Sequence, residues 1–132
     1  MNDKKVFFNA AVRMYKLAWR YLRNINQGYD EAKALMWLKK SAELGYDKAQ
    51  QELGAYYYDG EMVQKDYTKA AEWFRKAAEQ GNAEAQYRLG MCYKYGEGVE
   101  RDSAKSAEWF RKAAEQGHVG ARWNLDPKTT NL

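Results

Sequence analysis

Between residues 47 and 59, Ala49, Leu53 and Tyr57 recur at i, i+4 and i+8, with polar residues between them. This spacing predicts a helix over 47–59 that carries one apolar stripe. Farther on, Ala70, Trp73, Phe74, Ala77 and Ala78 mark the buried face of a second predicted helix over 67–79. The connecting segment Gly60-Glu61-Met62-Val63-Gln64-Lys65-Asp66 opens with a residue suited to a left-handed helix terminator and closes with an N-cap aspartate. Gly81 then supplies a second C-terminal glycine.

This helix-turn-helix pattern returns. Ala71 through Gly81 is repeated without change as Ala107 through Gly117, an offset of 36 residues. The same step aligns Trp37, Trp73 and Trp109, then Asp30, Asp66 and Asp102, then Gly45, Gly81 and Gly117. Leu17, Leu53, Leu89 and Leu125 fall into register as well, as do Tyr21, Tyr57 and Tyr93. Three units are complete, at about 12–46, 47–82 and 83–118, and a partial helix follows at 119–125. The chain is thus predicted to be a single all-α domain over 1–126, a solenoid of about 3.5 units with a tail at 127–132. No unit can cover its own apolar face, so each must stack on the next. Gly54 and Gly90 lie on the apolar stripe, where glycine costs about 1 kcal/mol relative to alanine. Their recurrence predicts a helix crossing too close for a side chain.

The run Ala-Glu-Ala-Gln-Tyr-Arg-Leu-Gly (83–90), followed by Tyr93, Gly96-Glu97-Gly98-Val99, Asp102, Lys105 and 109–117, strongly resembles the Sel1-like repeat. The resemblance is close over 47–118, partial over 119–125 and degenerate over 12–46. In the degenerate unit Arg13 replaces the packing alanine, Ala18 the glycine and Asn24 the terminator glycine. Sel1-like repeats are related to tetratricopeptide repeats. The resemblance implies a right-handed superhelix of antiparallel helix pairs that serves as an interaction scaffold. A cysteine-rich secreted subgroup of such proteins has been linked to β-lactam binding or hydrolysis, with a disulfide in each repeat. This sequence departs from that subgroup, because Cys92 is its one cysteine.

Composition narrows the partner. No apolar run approaches the roughly 20 residues that span a bilayer, and the first residues lack the apolar stretch of a signal peptide. With no disulfide possible, a reducing cytoplasm is the expected location. The net charge is +4, but residues 1–28 carry +5 of it, leaving −1 on the remainder. A general nucleic-acid surface is therefore not expected, and neither is membrane insertion.

By resemblance to the tetratricopeptide arrangement, the first helix of each unit lines a concave face. Its candidate contact residues are Tyr15, Trp19 and Arg23; Lys48, Gln51 and Tyr58; Glu84, Tyr87, Met91, Lys94 and Tyr95; and Trp123. Tyrosine and tryptophan are enriched among interface hot spots because they offer large area at little entropic cost. The other reading of Tyr15, Trp19 and Trp123 is buried packing at the ends of the array. Arg13, Lys16, Arg20 and Arg23 form a basic stripe at three- and four-residue spacing, either for an acidic partner segment or as the solvated face of a terminal unit. At an interhelical spacing of about 8–10 Å the groove is on the order of 30 Å long. It would hold an extended peptide of roughly nine residues or a helix of about 20.

Catalysis finds little material. His118, the single histidine, follows a repeat-ending glycine and reads as a loop residue, and no metal-ligand spacing surrounds it. Cys92 reads as a half-buried packing thiol. Glu72, Glu79, Glu108 and Glu115 follow the stacking period, as solvated faces do. Gly96-Glu97-Gly98 lacks the preceding strand and the Lys-Ser/Thr of a phosphate loop. No cofactor, metal or enzymatic activity is expected. Two binding roles stand: an adaptor for a protein or peptide, or an inhibitor such as the immunity partner of a bacterial toxin. Self-association is a further expectation, through a C-terminal end exposing Trp109, Phe110 and Trp123 before Pro127.

Overall fold

The structure is a computed structural model, which describes residues 3–23 and 30–126. These form α1 (Asp3–Leu22), α2 (Glu31–Glu43), α3 (Asp47–Asp59), α4 (Tyr67–Glu79), α5 (Ala83–Tyr95), α6 (Ser103–Glu115) and α7 (Val119–Leu125). The helices predicted over 47–59 and 67–79 are α3 and α4 at the predicted bounds. Asn24, Pro127 and the tail 127–132 lie outside the described residues.

Each unit is an antiparallel pair, α1 with α2, α3 with α4 and α5 with α6, and the second helix of each pair packs on the first helix of the next. The N-caps are those the sequence marks: the side chains of Asp30, Asp66 and Asp102 accept the backbone N–H groups of Lys33, Lys69 and Lys105. Ala49, Leu53, Phe74, Ala85 and Leu89 are fully buried. A Cβ built on Gly54 would lie 2.7 Å from the Phe74 ring, and one on Gly90 would lie 2.7 Å from Phe110. The predicted close crossing is therefore the seat of a phenylalanine ring.

Neighbouring units are also joined by a polar clamp that recurs with the repeat. Gln50 donates to the Ala42 carbonyl and accepts from Gln80, which also donates to the Gly45 carbonyl. Gln86, Gln116, Ala78 and Gly81 repeat the arrangement one unit later. Each amide is buried only where it has a partner, as burial of polar groups requires.

Three expectations change. Trp73, expected in the core, is half-buried, with the Lys76 ammonium 4.4 Å from its ring centroid; Lys112 covers Trp109 likewise. Phe110, expected at an exposed C-terminal end, is buried, because α7 covers it with Ala121 and Leu125. The apolar groups left outside at that end are Val119 and Trp123. Finally, α1 begins at Asp3, ahead of the predicted unit boundary, and its extra turns hold Phe8 edge-on against Tyr46, at 5.8 Å between centroids.

Candidate protein-interaction face

The first helices α1, α3, α5 and α7 are tied to one another by side chains that cross between units. Tyr15 of α1 donates to the Glu52 carboxylate of α3. Asn82, the N-cap of α5, donates to Asp47 of α3 at 2.9 Å. Lys94 of α5 donates to Asn124 of α7 at 2.8 Å. The four odd-numbered helices therefore share one face, the one on which the candidate contact residues were placed.

On α1 that face carries two adjoining cavities. One, of about 490 Å³, is lined by Tyr15, Lys16, Trp19, Arg20 and Arg23. The other, of about 500 Å³, is lined by Trp19, Leu22, Arg23, Glu31, Tyr56, Glu61 and Met62. Trp19 and Arg23 belong to both, and the Arg23 guanidinium lies 5.1 Å from the Trp19 ring centroid. Such a stack fixes both side chains while leaving the cation open to an anionic group. Of the basic stripe, Lys16, Arg20 and Arg23 meet at this site, whereas Arg13 lies exposed outside it.

The candidates in later units divide differently. The Tyr58 hydroxyl bonds both oxygens of Glu97 at 2.9 and 3.0 Å, and its ring lies 5.0 Å from that of Tyr67. Burial and the neighbouring Glu97 raise its phenol above the usual range; burial and Glu52 do the same to Tyr15. Glu52 itself is raised, chiefly by burial. Tyr87 stacks on His118 at 4.4 Å and, with Met91, packs against the Phe110 cluster. Glu84 binds Arg88 at 3.1 Å and His118 at 2.7 Å. Lys48 and Tyr95 are exposed and Gln51 is half-buried, while Trp123 keeps 63% of its area exposed.

His118 lies in the connection between α6 and α7, as expected. It is the N-cap of α7, its Nδ1 accepting the Ala121 amide. The imidazole proton is therefore on Nε2, facing Glu84. Cys92 is more deeply buried than expected: its thiol has no exposed area and is pushed up to about 12 by burial, so thiolate chemistry is suppressed. Among the described residues no group of three or more His, Cys, Asp or Glu side chains could hold a metal ion. No described helix is long and apolar enough to cross a membrane.

Two cavities escaped the sequence. Lys39, Tyr57, Lys65, Asp66 and Lys69 line one of about 450 Å³; Arg75, Tyr93, Arg101, Asp102 and Lys105 line its counterpart of about 410 Å³ one repeat later. The cations at these positions recur at the offset of 36, which is the signal that could have found them.

The Sel1 repeat family profile matches residues 14–46, 47–82 and 83–118. Among solved structures, a protective antigen of uropathogenic Escherichia coli displaying an SLR fold is 39% identical, with a TM-score of 0.82 over 87% of this chain. The chain spans 25% of that structure's length. A Sel1 repeat protein from Oxalobacter formigenes is 32% identical, with a TM-score of 0.81 and full coverage of both chains (100% each). Helicobacter pylori cysteine-rich protein B is 26% identical, with a TM-score of 0.72 over 93% of this chain and 97% of its own. No curated protein matches the chain.

Proposed function

Because this chain belongs to the Sel1 repeat family, we propose that it is a protein-interaction scaffold whose partner docks on the face formed by α1, α3, α5 and α7. The observation that carries this reading is the pair of cavities meeting at Trp19 and Arg23. A half-buried tryptophan fixed by a guanidinium gives an anchor with both apolar area and charge, the combination that dominates interface energetics. Lys16 and Arg20 add exposed charge of the same sign beside it, which favours an acidic segment and speeds its capture. Exposed Tyr95 and Trp123 extend the face toward the other end, whereas Tyr58 and Tyr87 support it by packing.

Affinity capture from a native extract tests the reading. Wild type is compared with a Lys16→Glu, Trp19→Ala, Arg20→Glu triple variant and with a Lys76→Glu, Lys112→Glu control on α4 and α6, all checked for helicity. A protein retained by wild type and control but lost by the triple variant supports the face. A partner retained equally by all three refutes it. Affinity then separates the two roles: micromolar, exchangeable binding marks an adaptor, and a nanomolar stoichiometric complex with an enzyme marks an inhibitor.

A further inference from the structure

The two interfaces between complete units differ at several places, and one of these differences suggests what fills the larger cavity at α1. At the interface of the second and third units, the Tyr58 side chain occupies the gap between α3, the start of α4 and the following loop, bonding Glu97 and lying against Tyr67. One repeat earlier the corresponding residues are Leu22, Glu61 and Glu31. Leucine brings neither the ring nor the hydroxyl. A cavity of about 500 Å³ stands there, with Leu22, Glu31 and Glu61 in its wall, and no described side chain bonds the Glu61 carboxylate.

The backbone is opened at the same point. Gly98 has φ +75°, and a Cβ built on it would lie 2.0 Å from the Tyr67 carbonyl oxygen. Its counterpart Met62 carries a full side chain at φ +63°. A residue other than glycine fits there only if the loop stands farther from the start of α2 than its counterpart stands from α4. The wider gap and the missing ring thus fall in one cavity.

The geometry points to a tyrosine side chain of the partner as the occupant: it fills the space that Tyr58 fills one repeat later, and its hydroxyl donates to Glu61. Charge selects the residues around that tyrosine. Glu31 and Glu61 repel carboxylates from the cavity itself, while Arg23, Arg20 and Lys16 attract them into the adjoining one across Trp19. The ligand class is therefore a protein segment with a tyrosine flanked by acidic residues. This deepens the interaction-face reading and rests on it.

The peptide Asp-Glu-Tyr-Asp-Glu, with blocked ends, is the probe, and the same peptide with phenylalanine is its control. Titration calorimetry is expected to show the tyrosine peptide binding at least about tenfold more tightly than the control, the scale of one hydrogen bond to a charged group. Leu22→Tyr supplies the missing ring from within the chain, so it should raise Tm and weaken the tyrosine peptide by at least about tenfold. Glu61→Gln should reduce the preference for tyrosine over phenylalanine. Equal affinity for the two peptides, no binding of either, or binding unchanged by Leu22→Tyr overturns the proposal. If a captured partner is lost by the Trp19 triple variant yet retained by Leu22→Tyr, the tyrosine pocket fails while the interaction face stands.

Discussion

His118 serves two contacts with its two ring nitrogens. Nδ1 must keep its lone pair for the Ala121 amide, and Nε2 must keep its proton for Glu84. His118→Ala removes both and exposes the start of a helix only seven residues long. It should cost about 1–2 kcal/mol in urea unfolding, the range of a lost N-cap. His118→Asn copies Asn82, which caps α5 through the Ala85 amide, and should recover most of that loss; a cost equal to that of alanine would show that capping is not the cause. Cys92 sets the alkaline limit. Its thiol is pushed up to about 12 in the folded chain, so above about pH 9 the unfolded chain loses a proton that the folded chain keeps. Stability contributed by this group is full below the unfolded value and falls as pH rises from there, at up to ~1.4 kcal/mol per unit. The raised phenols of Tyr15 and Tyr58 act in the same direction at higher pH. Thermal unfolding should be flat from pH 7 to 8 and decline above 9, and Cys92→Ala should flatten the first part of that decline.

Among the helices, legibility followed redundancy. The bounds of α3 and α4 could be read because caps, glycines and apolar positions recur with the same offset in both complete later units. The early start of α1 could not, because residues 3–11 have no counterpart in the other units, and Phe8 is held by Tyr46 from the next unit's boundary. The packing roles of the candidate contact residues were not legible, for a related reason. Tyrosines on the first helix of each unit read as contact residues, yet Tyr58 varies between units together with Tyr67 and Gly98, and the three fit one another inside the molecule. Variation marks either a surface left to a partner or a packing solution peculiar to one interface, and only contacts tell them apart. The glycine crossing was legible and can be tested. Gly90→Ala gains about 1 kcal/mol of helix propensity, but its methyl would lie 2.7 Å from the Phe110 ring, and overpacking costs typically 1–3 kcal/mol. A net loss in the midpoint of chemical unfolding is expected. In a double-mutant cycle Phe110→Leu should then cost less in the Gly90→Ala background than alone, because the ring is the obstacle; strict additivity would place the strain elsewhere.

At the scale of the whole molecule, the two ends of the array are finished differently. At the first unit Arg13 stands exposed where Ala49 and Ala85 are buried, and Val6, Phe7 and Phe8 of α1 are exposed beside it. At the other end α7 buries Phe110 and Ala113, with Ala121 beneath it. Between the ends, stability is a sum of unit and interface contributions: each complete interface includes a glutamine clamp, and the second and third units each hold a phenylalanine against a glycine within the unit. A duplicate of residues 83–118 inserted directly after His118 should therefore extend the array without disturbing either end. The junction is compatible, because His118 and Asn82 hold equivalent N-cap positions and both accept the amide three residues on. The longer chain gains one full interface, so its denaturant midpoint should rise. Its m-value should grow by about a quarter, because m follows the surface exposed on unfolding and the array passes from about 3.5 units to about 4.5. An unchanged midpoint would mean that the interfaces add nothing beyond each unit's own stability. A higher midpoint with an unchanged m-value would instead show that the array no longer unfolds in one step, its units melting in succession from the weaker end.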